Sequence, residues 1–262
     1  MQSTQESQET VEALQRRIEE LQAQVLQSQK LAAVGQLSAS VTHEFNNILT
    51  TVINYAKMGL RHKDEAARDK AFNRILSAGQ RAAKITSGML AYARGKGDRR
   101  DEIDLAQVVD DVLILVEKDL QMNRVKLQAD ILAHPVCEVS VSHLQQVLMN
   151  LIVNARQAMG DGGRLFVTVR DSTDGSGMGE ISIRDTGPGI PAERLPKIFA
   201  PFYTTKEADD AGQGGTGLGL SFCREVVEAH KGRMRVESTV GQGTTFTLKL
   251  PLAVSEKERK SA

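Results

Sequence analysis

The spacing of apolar residues predicts a helical first part of the chain. Near the amino terminus these residues recur alternately three and four positions apart, which is typical of a short coiled-coil helix that needs a partner. They are Val11, Leu14, Ile18, Leu21 and Val25. The phase then shifts, and a second stripe continues the helix to about Leu60. This second stripe leaves His43 pointing outward and comprises Val34, Val41, Phe45, Ile48, Val52, Tyr55 and Gly59.

A second amphipathic helix is predicted after a polar turn from Arg61 to Asp69. Its apolar face comprises Phe72, Ile75, Leu76, Gly79, Ala83, Thr86 and Leu90. Two helices make an antiparallel hairpin and cannot enclose a core alone, so their wide apolar faces pack best against a second copy. We therefore expect a homodimer held together by a four-helix bundle.

Glycines and charges without apolar periodicity mark residues 95–101 as a hinge. Beyond it, helical patterns at Leu105–Asp119 and Ser142–Met159 alternate with strand-like runs, which predicts an α/β sandwich around one sheet. The runs are Val125–Ile131, Leu165–Val169, Glu180–Ile183, Arg233–Glu237 and Thr244–Leu250. The expected segments are a coiled-coil helix (1–30), a helical hairpin domain (31–94), the hinge (95–101), an α/β domain (102–252) and a flexible tail (253–262).

Composition argues against several classes of partner. Lys and Arg number 33, as do Asp and Glu, so no positive field favours nucleic acid or an anionic membrane. Aromatic residues are 4% of the chain and Trp is absent, which argues against base stacking. Cys137 and Cys223 lack metal-type spacing with the five histidines, so we expect reduced core cysteines. A polar amino terminus and no apolar run of membrane length predict a cytoplasmic chain without membrane contact, any membrane sensor lying outside it.

Two short motifs have the chemistry of a nucleotide site. Asn150 and Asn154 lie one helical turn apart, where amide oxygens can serve a hard cation or a phosphate. Asp185 follows a strand and can accept a hydrogen from an exocyclic amine, while Gly187 and Gly189 allow a ligand to approach closely. Taken singly, the motifs are also compatible with two surface asparagines and with an Asx turn at a strand end.

The glycine run from Gly212 to Gly219 leads into a helix over Ser221–Ala229, which places backbone amides and a positive dipole end where phosphates bind. Its Gly-x-Gly-x-x-Gly spacing also matches a dinucleotide fingerprint, but no strand precedes it, so we reject that interpretation. The preceding long segment, 191–214, is expected to form a mobile lid. It carries Phe199, Phe202 and Lys206, which would close over a nucleotide or, alternatively, anchor a surface loop.

His43 is the candidate nucleophile, because neutral imidazole carries a reactive lone pair. Glu44 beside it can orient the ring or take its proton. Asn47 lies one helical turn further on, about 5 to 6 Å away at the β carbons. From there its amide can position a water against a phosphorylated ring.

The order and spacing of these motifs resemble the cytoplasmic core of sensor histidine kinases of two-component systems, from about Leu31 to Pro251. By this resemblance His43 matches the phosphoacceptor, and Asn150 and Asn154 match the N box. The other matches are the first glycine box (Asp185, Gly187, Gly189), the F box (Phe199, Phe202) and the second glycine box (Gly215, Gly217, Leu218, Gly219). The implied fold is a dimerisation and phosphotransfer bundle followed by a GHKL (Bergerat) ATP-binding sandwich, as in Hsp90, gyrase and MutL.

The resemblance also implies cofactors and partners. ATP and Mg²⁺ are expected, with Asp185 on adenine, Asn154 on Mg²⁺ and the glycine amides on the phosphates. Glu44 would assist proton removal, and Asn47 would support dephosphorylation of a partner. The expected partners are a second copy of the chain, the receiver domain of a response regulator, and an upstream sensor domain in cis or in trans.

One departure from the family pattern concerns a positive charge. Many members carry a lysine three residues after the second N-box asparagine, where this chain has Gln157. Lys206 or Arg156 would have to supply that charge instead.

Two alternative functions stay open. A conformational ATPase like Hsp90 would close a clamp without forming a phosphoenzyme, and the motif around His43 argues against it. A non-catalytic dimeric scaffold would bind nucleotide and signal through its helices, which the intact Asn154 and Asp185 disfavour. A kinase in which regulator phosphatase activity dominates is a narrower variant.

Overall fold

The computed structural model describes residues 41–62, 64–94, 99–160, 162–205 and 217–253, together with seven single helical positions between 13 and 35. Most of the segment predicted to form a coiled coil, residues 1–30, and the glycine-rich centre of the expected hinge, residues 95–98, lie outside this description. So do residues 206–216, which hold part of the predicted glycine run, and the predicted tail from 254 onward.

The first described unit is a pair of antiparallel helices. Helix α1 covers residues 41–61, and α2 covers Glu65–Arg94. Ile48 is buried in the predicted stripe of α1, and Val41, Phe45, Val52 and Tyr55 are partly buried around it. The outward orientation predicted for the His43 side of the helix is therefore confirmed.

The turn between these helices is shorter than we predicted. Helix α2 begins at Glu65, so Glu65 to Asp69 is helical rather than part of a turn. The reason is a cap: the Asp64 carboxylate accepts a hydrogen bond from the backbone N–H of Ala67 at 3.0 Å. Asp64 followed by Glu65 was the sequence signal for this start.

The remaining elements form an α/β sandwich with seven strands and three helices among the described residues. In chain order they are β1 (Asp101–Asp104), α3 (Leu105–Met122), β2 (Val125–Ile131), β3 (Val136–Val139), α4 (Val141–Met159), β4 (Gly163–Asp171), β5 (Met178–Asp185), α5 (Gly219–Ala229), β6 (Arg233–Thr239) and β7 (Gly243–Pro251). The helical hairpin and the sandwich expected from the apolar pattern are thus both present.

Five strands form the main sheet in the order β2-β4-β5-β7-β6. Strands β2 and β4 pair in parallel, and the other neighbours pair antiparallel. Alternate residues such as Leu165, Ile183 and Leu248 are fully buried and form one core with the apolar faces of α3, α4 and α5. Helix α4 contacts both α3 and α5, so it runs through the middle of the helical layer.

A small second sheet joins β1 to β3, and our sequence analysis missed both strands. Asp101, placed at the end of the hinge, pairs with Val139, and Asp104 caps α3 by accepting from the Ala106 N–H at 2.8 Å. Each strand has only four residues, so neither shows a periodicity of its own. Each of these strands pairs with the other, some thirty residues away in the sequence.

A buried histidine, His230, links the end of α5 to the start of α4. The Nε2 atom of His230, at the end of α5, accepts a hydrogen bond from the backbone N–H of Ser140 at 2.9 Å. Its Nδ1 lies 2.7 Å from the carbonyl oxygen of Val226 and donates to it. The end of α5 is thereby tied to the start of α4.

No helix in the described part of the chain is both long and apolar enough to span a bilayer.

Candidate active site

His43 lies on the exposed side of α1, away from the buried Ile48. Its Nδ1 atom is 3.1 Å from Nδ2 of Asn47, one helical turn further on. Because an amide nitrogen only donates, Nδ1 accepts this hydrogen, which in a neutral ring leaves the ring proton on Nε2. The structure thus brings two of the three predicted catalytic residues into direct contact.

Glu44, the third of these residues, turns towards the second helix instead. Its Oε1 atom is 3.1 Å from Nε of Arg81 on α2, and the Glu44 side chain is only 12% exposed. Arg81 also places Nη2 3.0 Å from Oε2 of Glu117 on α3. Sequence analysis missed Arg81, although Glu44 and Arg81 lie almost equally far from the helix break at 62–64 and are therefore level in an antiparallel hairpin.

Asp185 lies at the end of β5 and is 4% exposed. Its Oδ1 atom accepts hydrogen bonds from the backbone N–H of Gly187 at 2.8 Å and of Thr244 at 3.2 Å. Burial raises the pKa of this carboxyl, and the two backbone hydrogen bonds lower it in part. The carboxylate is therefore held in one orientation by main-chain groups from the loop after β5 and from the start of β7. Thr244 was not among the predicted site residues.

The glycines that follow Asp185 are needed for packing against the protein backbone. A side chain at Gly189, whose φ is +73°, would collide with the carbonyl of Thr239 in the turn between β6 and β7. The same turn donates the Gly241 N–H to the carbonyl of Pro188 at 2.8 Å. A Cβ at Gly187 would lie 2.9 Å from Oδ1 of Asp185. This loop is thus fixed close to the carboxylate that it follows.

The two asparagines lie on the same side of α4. Asn150 is half-buried, with Nδ2 3.9 Å from Sγ of Cys223 on α5, and a Cβ at Gly219 would lie 3.9 Å from the same amide. Asn154 is half-buried one turn further along α4. The structure therefore brings Asn150 next to Gly219, at the amino-terminal end of α5, as a shared phosphate site requires.

Lid residues flank the start of α5. The ring of Phe199 packs against the core, with Arg224 of α5 5.5 Å from its centre. Phe202 is 74% exposed and has φ +65°, a left-handed conformation that costs about 1 to 2 kcal/mol. Its carbonyl lies so close to Gly217 that any side chain at Gly217 would collide with it. Phe202 of the segment predicted to form a lid therefore contacts Gly217 of the glycine run.

Helix α5 begins directly after that contact. Leu218 occupies its N-cap position without a side-chain hydrogen bond to the helix, and the Leu218 carbonyl accepts from the Phe222 N–H at 3.1 Å. The N-cap residue thus supplies no side-chain hydrogen bond to the start of α5, which begins at Gly219. Lys206 and Gly215, both predicted to bind nucleotide, lie outside the described residues.

Comparison with known families agrees with this geometry. A family model described as "Histidine kinase-, DNA gyrase B-, and HSP90-like ATPase" matches residues 140–254. A second, the "His Kinase A (phospho-acceptor) domain", matches residues 33–97 and so includes His43. The chain belongs to the histidine kinase family. Both the expected resemblance and the fold class are confirmed.

Curated relatives of this histidine kinase include sensor kinase CckA of Brucella abortus and sensor histidine kinase ZraS of Escherichia coli. CckA is 36% identical over 261 residues, covering 92% of this chain and 27% of CckA. ZraS is 33% identical over 242 residues, covering 91% of this chain and 50% of ZraS. The chain thus spans between a quarter and a half of the length of these relatives.

Solved structures of histidine kinases show the same fold. The catalytic domain of histidine kinase ThkA superposes with a TM-score of 0.51 at 30% identity, covering 58% of this chain and 97% of that domain. ThkA in complex with the response regulator protein TrrA gives a TM-score of 0.50 at 26% identity, covering 87% of this chain and 64% of that chain.

Arg156, one of the two cations considered for the nucleotide site, forms an ion pair with Asp119 instead. Nε of Arg156 lies 2.9 Å from Oδ2 of Asp119 on α3, and both side chains are largely buried. Burial raises the pKa of Asp119, and the Arg156 charge lowers it in part. Arg156 lies two residues after Asn154, about 200° around the helix, and so faces α3. Of the two cations considered, Lys206 remains the candidate.

Proposed function

We propose that this chain binds Mg-ATP in the sandwich, transfers the γ-phosphoryl group to His43 and passes it to an aspartate of a response regulator. The observation that carries the proposal is the pairing, in one chain, of the exposed imidazole of His43 on α1 with a buried carboxylate, Asp185, fixed by backbone hydrogen bonds in a domain of the GHKL type. The exposed ring supplies a nucleophile, and the oriented carboxylate supplies recognition of adenine.

In the proposed chemical step, a ring-nitrogen lone pair of His43 attacks the γ-phosphorus in line. The new N–P bond forms as the bond between the γ-phosphorus and the bridging oxygen breaks, and ADP leaves with that electron pair. The ring then loses one proton, for which Glu44 is the nearest carboxylate in sequence. A carboxylate oxygen of the regulator then attacks the phosphorus of the phosphoramidate; the N–P bond breaks, and the ring nitrogen keeps that electron pair and takes up a proton, which restores neutral histidine.

Nucleotide recognition would depend on Asp185 and on the two asparagines. With Oδ1 held by the Gly187 and Thr244 amides, Oδ2 of Asp185 would accept the exocyclic amine of adenine. No group of three or more His, Cys, Asp or Glu side chains that would suit a metal lies among the described residues. The half-buried Asn154 amide suits Mg²⁺, which keeps several waters and takes one or two protein oxygens plus phosphates. The ion would neutralise phosphate charge.

The phosphates themselves would lie against the start of α5. Backbone N–H groups of Gly217, Leu218 and Gly219 and the positive end of the helix dipole suit them, with Asn150 alongside. Lys206 of the predicted lid and Gly215 of the glycine run would complete the phosphate site. Phe202, exposed and already in a strained conformation, would cover the nucleotide as the lid closes, while Phe199 anchors the lid on Arg224.

The receiver domain of a response regulator would dock on the hairpin around His43. The support is the exposure of this helix surface and the relative ThkA, which was solved in complex with a regulator. Asn47, in contact with the ring, would also orient water for dephosphorylation of the regulator. A sensor acting in cis or in trans would enter through the helix preceding His43, and the chain would work in the cytoplasm.

The proposal is tested by incubating the chain with Mg²⁺ and ATP labelled in the γ position. We expect incorporated label that is acid-labile and stable to base, the behaviour of a phosphoramidate, and transfer of that label to a receiver domain. ATP labelled in the α position is the control and should give no incorporation. ATP hydrolysis without any label on the protein would contradict the proposal and would favour the Hsp90-like conformational ATPase.

We further propose that the chain is a homodimer through the hairpin. Large apolar side chains stay exposed on both helices, and Leu49 and Ile53 of α1 lie near the level of Leu76 and Phe72 of α2. Each of these four side chains is more than half exposed. Such a face on a monomer is typical of an interface, and a second copy would cover it to complete a four-helix bundle.

Ile53→Asp is expected to dissociate the dimer. A carboxylate buried in an apolar interface costs several kcal/mol, so the dimer dissociation constant should rise by about two orders of magnitude. Sedimentation velocity over a range of concentrations measures it. Asn54→Asp, which adds the same charge at the neighbouring exposed position, is the control and should stay dimeric. An unchanged sedimentation profile for Ile53→Asp would exclude this face as the interface.

A further inference from the structure

Arg81 joins three elements of the structure. Its guanidinium binds Glu44 on α1 through Nε and Glu117 on α3 through Nη2, at 3.1 and 3.0 Å. Glu117 is further held by Gln121, whose Nε2 lies 3.4 Å from the other carboxylate oxygen. The helix α2 that carries Arg81 contacts α3, and Val41 of α1 packs against the sandwich core. One arginine thus connects the phosphoacceptor helix to the ATP-binding sandwich.

The contact with Glu44 has a consequence for His43. The Nδ1 lone pair of His43 accepts from the Asn47 amide, and in a neutral ring Nε2 then carries the proton. Neither nitrogen therefore presents a free lone pair to an incoming phosphorus. A carboxylate beside the ring could remove the ring proton and so free a nitrogen lone pair, but the carboxylate of Glu44 is bound to Arg81.

The contact with Glu117 has a consequence for the sandwich. Glu117 belongs to α3, which packs directly on α4, the helix that carries Asn150 and Asn154. The guanidinium of Arg81 thus contacts the candidate base Glu44 and the helix next to the nucleotide helix at the same time.

We propose that Arg81 is a latch whose paired contacts with Glu44 and Glu117 hold this kinase in a resting arrangement. Opening the latch frees Glu44 for His43 and lets the sandwich reposition its nucleotide. Arg81 is a positioning residue, because it acts through Glu44 and through α3 and touches no substrate. This inference rests on the proposed autophosphorylation of His43.

The latch is tested by measuring autophosphorylation of the full chain in variants that open each arm. Glu117→Gln removes the contact with the sandwich and keeps the pair with Glu44, whereas Arg81→Gln removes both. Each should raise the phosphorylation rate about two- to fivefold, the range expected for loss of a partly exposed ion pair. The KM for ATP should stay unchanged, because neither residue belongs to the nucleotide site.

Arg74→Gln is the matched control. Arg74 is exposed on α2 seven residues before Arg81, on the same helix face, and it makes no ion pair with the described residues. The Arg74→Gln variant should autophosphorylate at the wild-type rate. Small-angle X-ray scattering gives a readout independent of chemistry: Glu117→Gln and Arg81→Gln should increase the radius of gyration, and Arg74→Gln should not.

The outcomes separate the latch from the proposed function. If wild-type protein takes up no label, the proposed function fails, whatever the scattering shows. If wild-type protein is labelled while Glu117→Gln and Arg81→Gln match Arg74→Gln in rate and radius, the latch is excluded and the kinase stands. A lower rate in both variants would also overturn the latch, because the bridge would then belong to the productive arrangement.

Discussion

His43→Gln is expected to abolish the acid-labile label while leaving nucleotide affinity at the wild-type value. An amide nitrogen has no free lone pair for attack on phosphorus, so incorporation should fall to background. The ring is exposed and packs against no core residue, so the change in the free energy of unfolding should stay within about 0.5 kcal/mol. Scintillation counting of protein after incubation with γ-labelled ATP measures the first effect, and calorimetric titration with ADP measures the second.

His62→Gln is the matched control for this variant. His62 is also exposed, in the break between α1 and α2, and its loss should leave the label intact. Persisting label in His43→Gln would assign the phosphoacceptor to another residue. Equal loss in both variants would show that the substitution acts through the hairpin fold rather than through the imidazole.

Asp185→Asn is expected to weaken ATP and ADP binding by about one to two orders of magnitude, the equivalent of a hydrogen bond to a charged group at ~1.5 to 3 kcal/mol. The asparagine oxygen can still accept from the Gly187 and Thr244 amides. Its NH₂ group would then face the adenine amine, so a donor would meet a donor. Calorimetric titration with ADP measures the loss, and an unchanged dissociation constant would remove Asp185 from the site.

The same variant should not destabilise the nucleotide-free protein. Folding raises the pKa of Asp185, so ionisation of this carboxyl favours the unfolded state; the cost to stability grows as the pH rises through the unfolded pKa and is complete above the folded pKa. Asparagine removes that cost, and the melting temperature at neutral pH should equal or exceed that of wild type. Added ADP should raise the melting temperature of wild type and of Asp171→Asn, a control at an exposed aspartate, by the same amount, and should raise that of Asp185→Asn by less at the same ADP concentration. A lower melting temperature for Asp185→Asn without nucleotide would contradict this account.

The local pattern of apolar and polar residues was sufficient to predict most of the helices and strands. The run Val125–Ile131 is a strand over the residues that the sequence analysis assigned, because alternate β-branched and apolar residues repeat within seven positions. The stripe containing Ile48 was equally readable, since a helix of some twenty residues repeats its burial pattern several times. Both signals are contained in consecutive residues.

Short strands and helix starts were harder to predict. The strands Asp101–Asp104 and Val136–Val139 are each too brief to show a period and exist because they pair with each other. The first turn of α2 was taken for a polar loop, since charged residues suit a loop and an exposed helix alike, and only the Asp64 cap distinguishes them.

Residue order was enough to recognise the histidine kinase family and to predict the chemistry, because His43 and Asp185 belong to motifs whose members lie a few positions apart. The contacts that control those residues join distant segments. Thr244 reaches Asp185 across 59 positions, and Arg81 binds Glu44 and Glu117 from a separate helix. Short motifs are set by backbone geometry over one or two turns, whereas these partners meet only after the helices and the sheet have packed.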